Sequence, residues 1–227
     1  MQILKDNILG RADIITLLNA SCGFLSLIML FADHLRLSIS LIFIAVLADG
    51  CDGIVARRFG KSSIGEYLEA MADMASLSIA PLAVVLYLYY PVTVHSFVLF
   101  FLLLGVCVLV FIACVLRLAM FHLWKDTTLF HGLPASASML FILGFCLLQI
   151  QPEIMIGILC ILAAALVSPI RFPKPGPVTN GAAALLLLGV LIVYTAYHNL
   201  MIFLLLGALF IYTFGGPILV VYGKKLV

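Results

Sequence analysis

Residues 37–90 read LSISLIFIAVLADGCDGIVARRFGKSSIGEYLEAMADMASLSIAPLAVVLYLYY. Two apolar stretches, 37–56 and 65–90, flank a short polar connection, and each is about as long as the ~20 residues that cross a bilayer as a helix. Five of the ten acidic residues of the chain fall between positions 49 and 73. The segment therefore predicts two antiparallel membrane helices with acids at the end where they meet.

The rest of the chain is equally apolar. Of its 227 residues, 65% are hydrophobic and 10% are charged, against roughly half and a quarter in a soluble domain. We predict an all-α, polytopic membrane helix bundle of about eight transmembrane helices, forming a single domain over residues 1–227. Hydropathy, with turn residues such as Pro91, Gly132 and Pro152, sets the spans near 14–32, 37–56, 65–90, 96–120, 134–150, 153–169, 180–197 and 200–222.

The distribution of basic residues predicts the orientation. If the N-terminus is cytoplasmic and the connections alternate sides, eleven of the twelve basic residues lie in the cytoplasm and only Arg36 lies outside. Because cytoplasmic loops carry an excess of Lys and Arg, we expect an N-in, C-in protein of the cell membrane. The net charge of +2 argues against a nucleic-acid partner. The eleven are Lys5, Arg11, Arg57, Arg58, Lys61, Arg117, Lys125, Arg171, Lys174, Lys224 and Lys225.

Four of the acids are spaced to share helix faces. Asp49 and Asp52 are three residues apart, Glu69 and Asp73 are four apart, and such pairs have Cβ atoms about 5–6 Å from each other. The short connection makes the two helices neighbours, so all four carboxylates can converge. Four like charges need strong compensation, and Mg²⁺ or Mn²⁺ supplies it through oxygen ligands. The spacing predicts a metal site at the cytoplasmic surface.

Three other interpretations use the same acids. A cation transporter usually has its acids near the membrane midplane on broken helices, whereas these lie at the cytoplasmic end. A membrane prenyltransferase needs a second Asp-rich motif, but only Asp126 and Glu153 follow position 73, on opposite sides of the membrane. The acids could instead form salt bridges with basic residues of the connection, namely Arg57, Arg58 and Lys61.

The segment from Asp49 to Asp73 resembles the signature of the CDP-alcohol phosphatidyltransferases, which is D-x2-D-G-x2-A-R, a spacer of about eight residues, and G-x3-D-x3-D. Every signature position but one fits in residue type; Glu69 stands where the family has Asp. Stretches 16–23, 73–81, 117–135 and 170–173 are similar to motifs of the phosphatidylserine synthase branch. The resemblance covers about residues 14–175, and 176–227 corresponds to two generic membrane helices.

This resemblance implies transfer of a phosphatidyl-type group from a CDP-linked lipid, CDP-diacylglycerol or CDP-archaeol, to the hydroxyl of L-serine, with release of CMP. It implies two Mg²⁺ or Mn²⁺ ions held by Asp49, Asp52, Glu69 and Asp73, with Asp73 also acting as the base. Relatives are often dimers, so a homodimer is also considered. The CDP-lipid pocket would be lined by Gly53, Ala56, Arg57 and Gly65, with Asn19 at its border.

The acceptor is less narrowly defined by the sequence. Arg117 and Arg171 lie at cytoplasmic ends of predicted spans, where they could hold the carboxylate of serine, hold a lipid phosphate, or anchor a helix end. The same arginines would suit a phosphorylated alcohol, so glycerol phosphate and inositol phosphate remain alternative acceptors.

Overall fold

The computed structural model describes residues 9–60, 62–123, 129–174, 176–192 and 198–223, and it is mostly helical. The chain divides into two compact units, Met1–Val84 and Val85–Val227, here called the N-terminal and C-terminal units. Five of the basic residues used to predict the orientation lie outside the described residues, namely Lys5, Lys61, Lys125, Lys224 and Lys225.

The N-terminal unit is built around its first helix. Helix α1 (Arg11–Phe31) packs against α2 (Leu35–Phe59), α3 (Gly65–Asp73) and the π-helical segment Met74–Ile79 that continues α3. Helix α2 also contacts the π-helical segment. Helix α4 (Ala80–Thr93) begins in this unit. Because α1 contacts both α2 and α3, it lies beside both helices that carry the acidic residues.

Helix α1 is polar inside and apolar outside. Its buried face includes Asp13, Thr16, Asn19 and Ser26. Most of its exposed side chains are large and hydrophobic, among them Ile14, Leu17, Leu18, Phe24, Leu25 and Ile28. A helix in water has the opposite arrangement, because exposing apolar surface to water is unfavourable. The pattern of α1 therefore suits a helix whose surroundings are hydrocarbon.

The ends of α2 and α4 are set by a glycine and tolerate a proline, respectively. Gly60 ends α2 with a φ of 90°, a left-handed conformation that glycine adopts at little cost, and its N–H bonds to the carbonyl of Ala56 at 3.0 Å. The break predicted at Pro91 is wrong by about one turn, since α4 continues to Thr93. Proline is tolerated there because the last turn loses little by giving up one backbone hydrogen bond.

The C-terminal unit contains the remaining helices and a small sheet. Helix α5 packs against α7, α6 contacts α7 and α9, and α8 contacts α9. The elements are α5 (Phe97–Leu123), β1 (Leu129–His131), α6 (Ala135–Leu147), α7 (Pro152–Leu166), β2 (Arg171–Pro173), α8 (Pro177–Ile192), α9 (His198–Phe210), the π-helical segment Ile211–Gly215, and α10 (Gly216–Gly223).

The all-α prediction misses the two-stranded antiparallel sheet of β1 and β2. Its register pairs Leu129 with Pro173, Phe130 with Phe172, and His131 with Arg171. Strands of three residues are too short to show a two-residue periodicity in a sequence. The sheet joins two of the stretches that resemble the phosphatidylserine synthase branch.

Five helices of the described chain are long and apolar enough to cross a membrane: Arg11–Phe31, Leu35–Phe59, Gly65–Thr93, Phe97–Met120 and Asn199–Val220. Three further apolar helices are shorter, Ala135–Leu147, Pro152–Leu166 and Thr179–Ile192. At 1.5 Å per residue they measure roughly 20 Å, below the ~30 Å of a hydrocarbon core. The count of eight spans, the N-in orientation, the single domain and the homodimer stay predictions.

Candidate active site

Helix α1 presents two polar side chains to acids on its neighbours. The hydroxyl of Thr16 donates a hydrogen bond to Oδ2 of Asp52 on α2, at 2.6 Å. Three residues further along, Nδ2 of Asn19 donates to Oδ1 of Asp73 at the end of α3, at 3.1 Å. All four side chains are buried. Helix α1 thus ties together one acid from each of the two acidic helices.

The four predicted acids lie within electrostatic range of one another. The side chains of Asp49 and Asp73 lie within hydrogen-bonding range of each other, although they come from different helices. Asp49 is also repelled by Asp52 and Glu69, and Asp73 is repelled by the same two residues. Asp52 and Asp73 are buried, while Asp49 and Glu69 are partly exposed. The structure therefore brings these carboxyl groups together at the α2–α3 end of the unit.

The chemistry of this cluster suits a hard divalent cation, since all its donors are oxygens. Asn19 adds a further oxygen, because its Oδ1 is buried and has no hydrogen-bond partner among the described residues. As the side chains stand, however, no three His, Cys, Asp or Glu residues of the described chain are grouped closely enough to hold an ion. Binding would require the carboxyl groups to turn toward each other, and the charge of the ion would offset their repulsion.

The predicted CDP-lipid residues of α2 follow the acids, with Gly53 next to Asp52 and with Ala56 and Arg57 one turn further along. A Cβ placed on Gly53 would lie 3.6 Å from Nη1 of Arg57, so the arginine folds back along its own helix over the glycine. Arg57 is exposed, and Gly53 and Ala56 are partly exposed. The guanidinium is therefore accessible next to the carboxyl cluster, and its fork of donors matches phosphate oxygens.

Gly65 has a packing role that the sequence did not reveal. A Cβ at this position would lie 3.1 Å from Oδ1 of Asp13 and 3.1 Å from Oγ of Ser62, tighter than ordinary contacts. Asp13 is buried, and its Oδ2 accepts a hydrogen bond from the backbone N–H of Gly10 at 2.6 Å. Asp13 thus caps the first turn of α1. Because Gly65 has no side chain, the start of α3 can lie directly against Asp13.

Sequence reasoning assigned no role to Asp13 or Thr16. The available signal was their spacing with Asn19, since three polar residues at intervals of three occupy one face of an otherwise apolar helix. Such a face must be buried away from lipid, against other polar groups. In the structure, Thr16 and Asn19 of that face bond to the acids, and Asp13 bonds to the backbone of Gly10.

The two predicted acceptor residues belong to the C-terminal unit and differ in their surroundings. Arg117 on α5 is buried, with 5% of its surface exposed, and its guanidinium carbon lies 5.6 Å from the ring centre of Phe130. Nζ of Lys174 lies 5.2 Å from the same ring. Arg171 is exposed on β2. The unit therefore gathers Arg117 and Lys174 at one aromatic ring beside the sheet, and presents Arg171 at the surface.

A tyrosine from the second π-helical segment contacts the residues around Arg117 and Lys174. Tyr212, in the second π-helical segment, lies near Arg117 and donates a hydrogen bond to the carbonyl oxygen of Pro173 at 3.1 Å. Its ring stacks on Phe172, with centroids 6.0 Å apart. Tyr212 thus connects β2 to the buried arginine. It lies in a region whose sequence looks like generic membrane helix.

Known proteins are similar to this chain over most of its length. The family model for CDP-alcohol phosphatidyltransferases matches residues 9–214. A Methanocaldococcus jannaschii protein named CDP-diacylglycerol–serine O-phosphatidyltransferase is 33% identical over 74% of this chain and 75% of its own length. The archaetidylserine synthase of Methanothermobacter thermautotrophicus is 28% identical over 71% and 69%, respectively.

A bacterial relative that is covered over a shorter part of its length has the same name as the Methanocaldococcus jannaschii protein. A CDP-diacylglycerol–serine O-phosphatidyltransferase of Mycobacterium leprae is 35% identical over 60% of this chain and 46% of its own length. The family predicted from the signature is confirmed, because the family model spans nearly the whole chain and includes the α1, α2 and α3 residues of the carboxyl cluster. The protein belongs to the CDP-alcohol phosphatidyltransferase family, and it is an enzyme of that family.

Proposed function

We propose that the protein transfers a phosphatidyl-type group from a CDP-linked lipid to the hydroxyl of L-serine and releases CMP, in a metal-dependent reaction at the cytoplasmic surface of the cell membrane. The observation that carries the proposal is the cluster of four carboxyl groups, two of which accept hydrogen bonds from α1. The names of relatives from two archaea and one bacterium support serine as the acceptor.

In this reaction, Asp73 takes the proton from the serine hydroxyl. The serine oxygen then forms a bond to the phosphorus that bears the lipid, the bond from that phosphorus to the CMP oxygen breaks, and CMP leaves. Asn19 fixes the orientation of Asp73 through the bond to Oδ1. A carboxylate positioned in this way contributes about 10²–10⁴-fold to such a proton transfer.

Asp49, Asp52, Glu69 and Asp73 would hold Mg²⁺ or Mn²⁺. Bound ions would neutralise charge on the pyrophosphate of the CDP-linked lipid. Arg57 contributes donors for the same phosphates, and Gly53 and Ala56 are small residues on the same helix that would border the nucleotide. The lipid chains stay in hydrocarbon while the polar head and serine arrive from water.

Within the C-terminal unit, Arg117 stays the residue predicted to bind the acceptor, and Lys174 adds positive charge at the same ring of Phe130. A buried guanidinium forms strong, paired hydrogen bonds with a carboxylate. The same two cations favour a second candidate acceptor, a phosphorylated alcohol such as glycerol phosphate or inositol phosphate, because phosphate carries more negative charge than a carboxylate.

The test is release of CMP by the purified protein in lipid vesicles. CDP-diacylglycerol and CDP-archaeol are each offered with serine, glycerol phosphate or inositol phosphate, with Mg²⁺ or Mn²⁺ and with EDTA. We expect CMP with serine and metal, and none with EDTA. CMP released only with a phosphorylated alcohol would replace serine as the acceptor, and undiminished release in EDTA would end the metal-dependent mechanism.

A further inference from the structure

The hydrogen bond between Thr16 and Asp52 joins two different helices inside the N-terminal unit. The hydroxyl oxygen lies 2.6 Å from Oδ2, and each residue has only 4% of its surface exposed. An O–H···O⁻ bond of 2.5–2.7 Å is typical of a hydroxyl donating to an ionised carboxylate, and such bonds are roughly twice as strong as neutral ones. This contact therefore restrains Asp52 more than ordinary packing does.

The hydroxyl of Thr16 has a second, more distant hydrogen-bond acceptor within reach. The carbonyl oxygen of Ala12, one turn earlier on α1, lies 3.3 Å from Oγ1. Threonine hydroxyls in helices commonly donate to that carbonyl, but one hydroxyl has a single proton, and the shorter distance identifies Asp52 as its acceptor. The branched side chain of threonine also has few rotamers in a helix. The hydroxyl of Thr16 is therefore restricted in position even without its bond to Asp52.

We propose that Thr16 is a positioning residue: it holds Oδ2 of Asp52 so that the other carboxylate oxygen is directed toward the neighbouring acids. The inference rests on the proposed function, in which Asp52 helps to hold a divalent ion. Asn19 acts on Asp73 in the same manner, from the same face of α1. Helix α1 thus orients one acid of each flanking helix without contributing an acid of its own to the cluster.

Positioning partners of metal ligands have a measurable effect. Removing one typically lowers metal affinity or activity 10–100-fold. The effect should be large here, because the four acids are not grouped as a finished set of ligands. A site that must rearrange around its ion loses affinity when one of its ligands is released to rotate freely.

The experiment compares variants of the full-length protein in detergent. Thr16→Val removes the hydroxyl and keeps the shape, and Thr16→Ala is a second hydroxyl-free variant in case the first does not fold. Thr16→Ser keeps the hydroxyl. Ser21→Ala is the matched control, since Ser21 is an exposed hydroxyl on the same helix that donates to the carbonyl of Leu17 at 2.7 Å. Binding of Mn²⁺ is measured directly from the electron paramagnetic resonance signal of the free ion, alongside CMP release.

We expect Thr16→Val and Thr16→Ala to raise the Kd for Mn²⁺ about 10–100-fold, and saturating Mn²⁺ to restore most of kcat. Thr16→Ser and Ser21→Ala should bind Mn²⁺ within about threefold of the unmodified protein, well inside the loss expected for a missing positioning partner. Wild-type Mn²⁺ affinity in both hydroxyl-free variants would overturn the inference. An equal loss of Mn²⁺ affinity in Thr16→Ser and Thr16→Val would also overturn it. The affinity would then depend on the packing of the threonine side chain and not on its hydroxyl group.

Asp52→Asn separates this inference from the proposed function. If Asp52→Asn loses Mn²⁺ binding and CMP release while Thr16→Val keeps wild-type affinity, only the role of Thr16 is wrong. If Asp52→Asn binds Mn²⁺ normally, the metal role of the carboxyl cluster fails, and the positioning role of Thr16 fails with it.

Discussion

Glu69 is the residue at which this chain departs from the signature of its family. Its carboxyl group is repelled by those of Asp49 and Asp73, so it belongs to the cluster despite its longer side chain. One additional methylene can move a carboxylate by on the order of an ångström, and Mg²⁺ demands near-ideal octahedral geometry. Glu69 is partly exposed, which gives the longer side chain room to adopt a compatible rotamer.

We predict that Glu69→Gln lowers CMP release at least tenfold and raises the metal concentration needed for half-maximal activity, because a neutral amide is a weaker ligand for a hard cation than a carboxylate. Glu69→Asp should stay within a few-fold of the unmodified enzyme. Metal titrations of CMP release compare the two variants.

The outcomes for Glu69 are separable. A Gln variant with unchanged activity and metal dependence would remove Glu69 from the ligand set. A large increase in activity in the Asp variant would identify the glutamate as an impairment of the site. Glu66→Gln is a useful control, because Glu66 lies on the same helix and outside the signature positions.

The sequence indicates which acids meet, but it does not indicate which hydroxyl supports them. Spacing along two neighbouring helices is sufficient to predict that Asp49, Asp52, Glu69 and Asp73 converge. Thr16 was not predicted, because a hydroxyl in an apolar helix usually donates to its own backbone. Ser21, Ser26 and Thr93 do so in this protein. Only tertiary packing distinguishes Thr16 from these residues.

Among the elements, α1 and the π-helical segment after Asp73 approach each other closely at Gly23. A Cβ on Gly23 would lie 3.0 Å from Cα and 3.1 Å from the backbone nitrogen of Ser76. Backbone atoms cannot move aside as the end of a flexible side chain can. Gly23 therefore sets the distance between α1 and the helix that carries Asp73, and hence the hydrogen bond from Asn19 to Asp73.

We predict that Gly23→Ala destabilises the protein by about 1–3 kcal/mol, the usual cost of overpacking a well-packed interface, and lowers CMP release by separating Asn19 from Asp73. Thermal unfolding in detergent and kcat for CMP release measure the two effects. Gly105→Ala is the control, because Gly105 is exposed on α5 and a Cβ there has nothing within 4 Å. A Gly23→Ala protein as stable and as active as Gly105→Ala would show that the close approach is unimportant.

Most elements could be predicted from hydropathy, because a helix in hydrocarbon needs a long uninterrupted apolar run. The long helices α1, α2 and α5 begin and end within a few residues of the predicted spans. The two π-helical segments, Met74–Ile79 and Ile211–Gly215, were not predicted, since one additional residue in a turn leaves no mark on an apolar sequence. The β1–β2 sheet was missed because its register depends on contacts between distant segments.

At the scale of the whole molecule, the burial of polar groups argues for a lipid environment. The N-terminal unit buries Asp13, Thr16, Asn19, Asp52 and Asp73 while exposing large apolar side chains along the same helices. Polar groups cost free energy in hydrocarbon unless they are satisfied inside the protein. This distribution suits a bilayer, where the exposed apolar side chains contact hydrocarbon and not water. The buried polar groups form hydrogen bonds inside the protein.

The orientation can be tested with two exposed positions at opposite ends of one long helix, Gly65–Thr93. Ser63 precedes this helix and His95 follows it, and both side chains are exposed. With the N-terminus in the cytoplasm, Ser63 faces the cytoplasm and His95 the outside, as the concentration of Lys and Arg in the predicted cytoplasmic loops requires. Ser63→Cys and His95→Cys are made singly in a background without the six native cysteines that still releases CMP.

A membrane-impermeant maleimide applied to intact cells should label His95→Cys at once and Ser63→Cys only after permeabilisation. The reverse pattern would place the carboxyl cluster on the outer face, away from cytoplasmic CDP-linked lipid, and would contradict the proposed function together with the orientation. Labelling of both positions from the same side would mean that Gly65–Thr93 does not cross the membrane. Since the acids lie at the Ser63 end of this helix, the experiment also determines from which side of the membrane serine reaches the site.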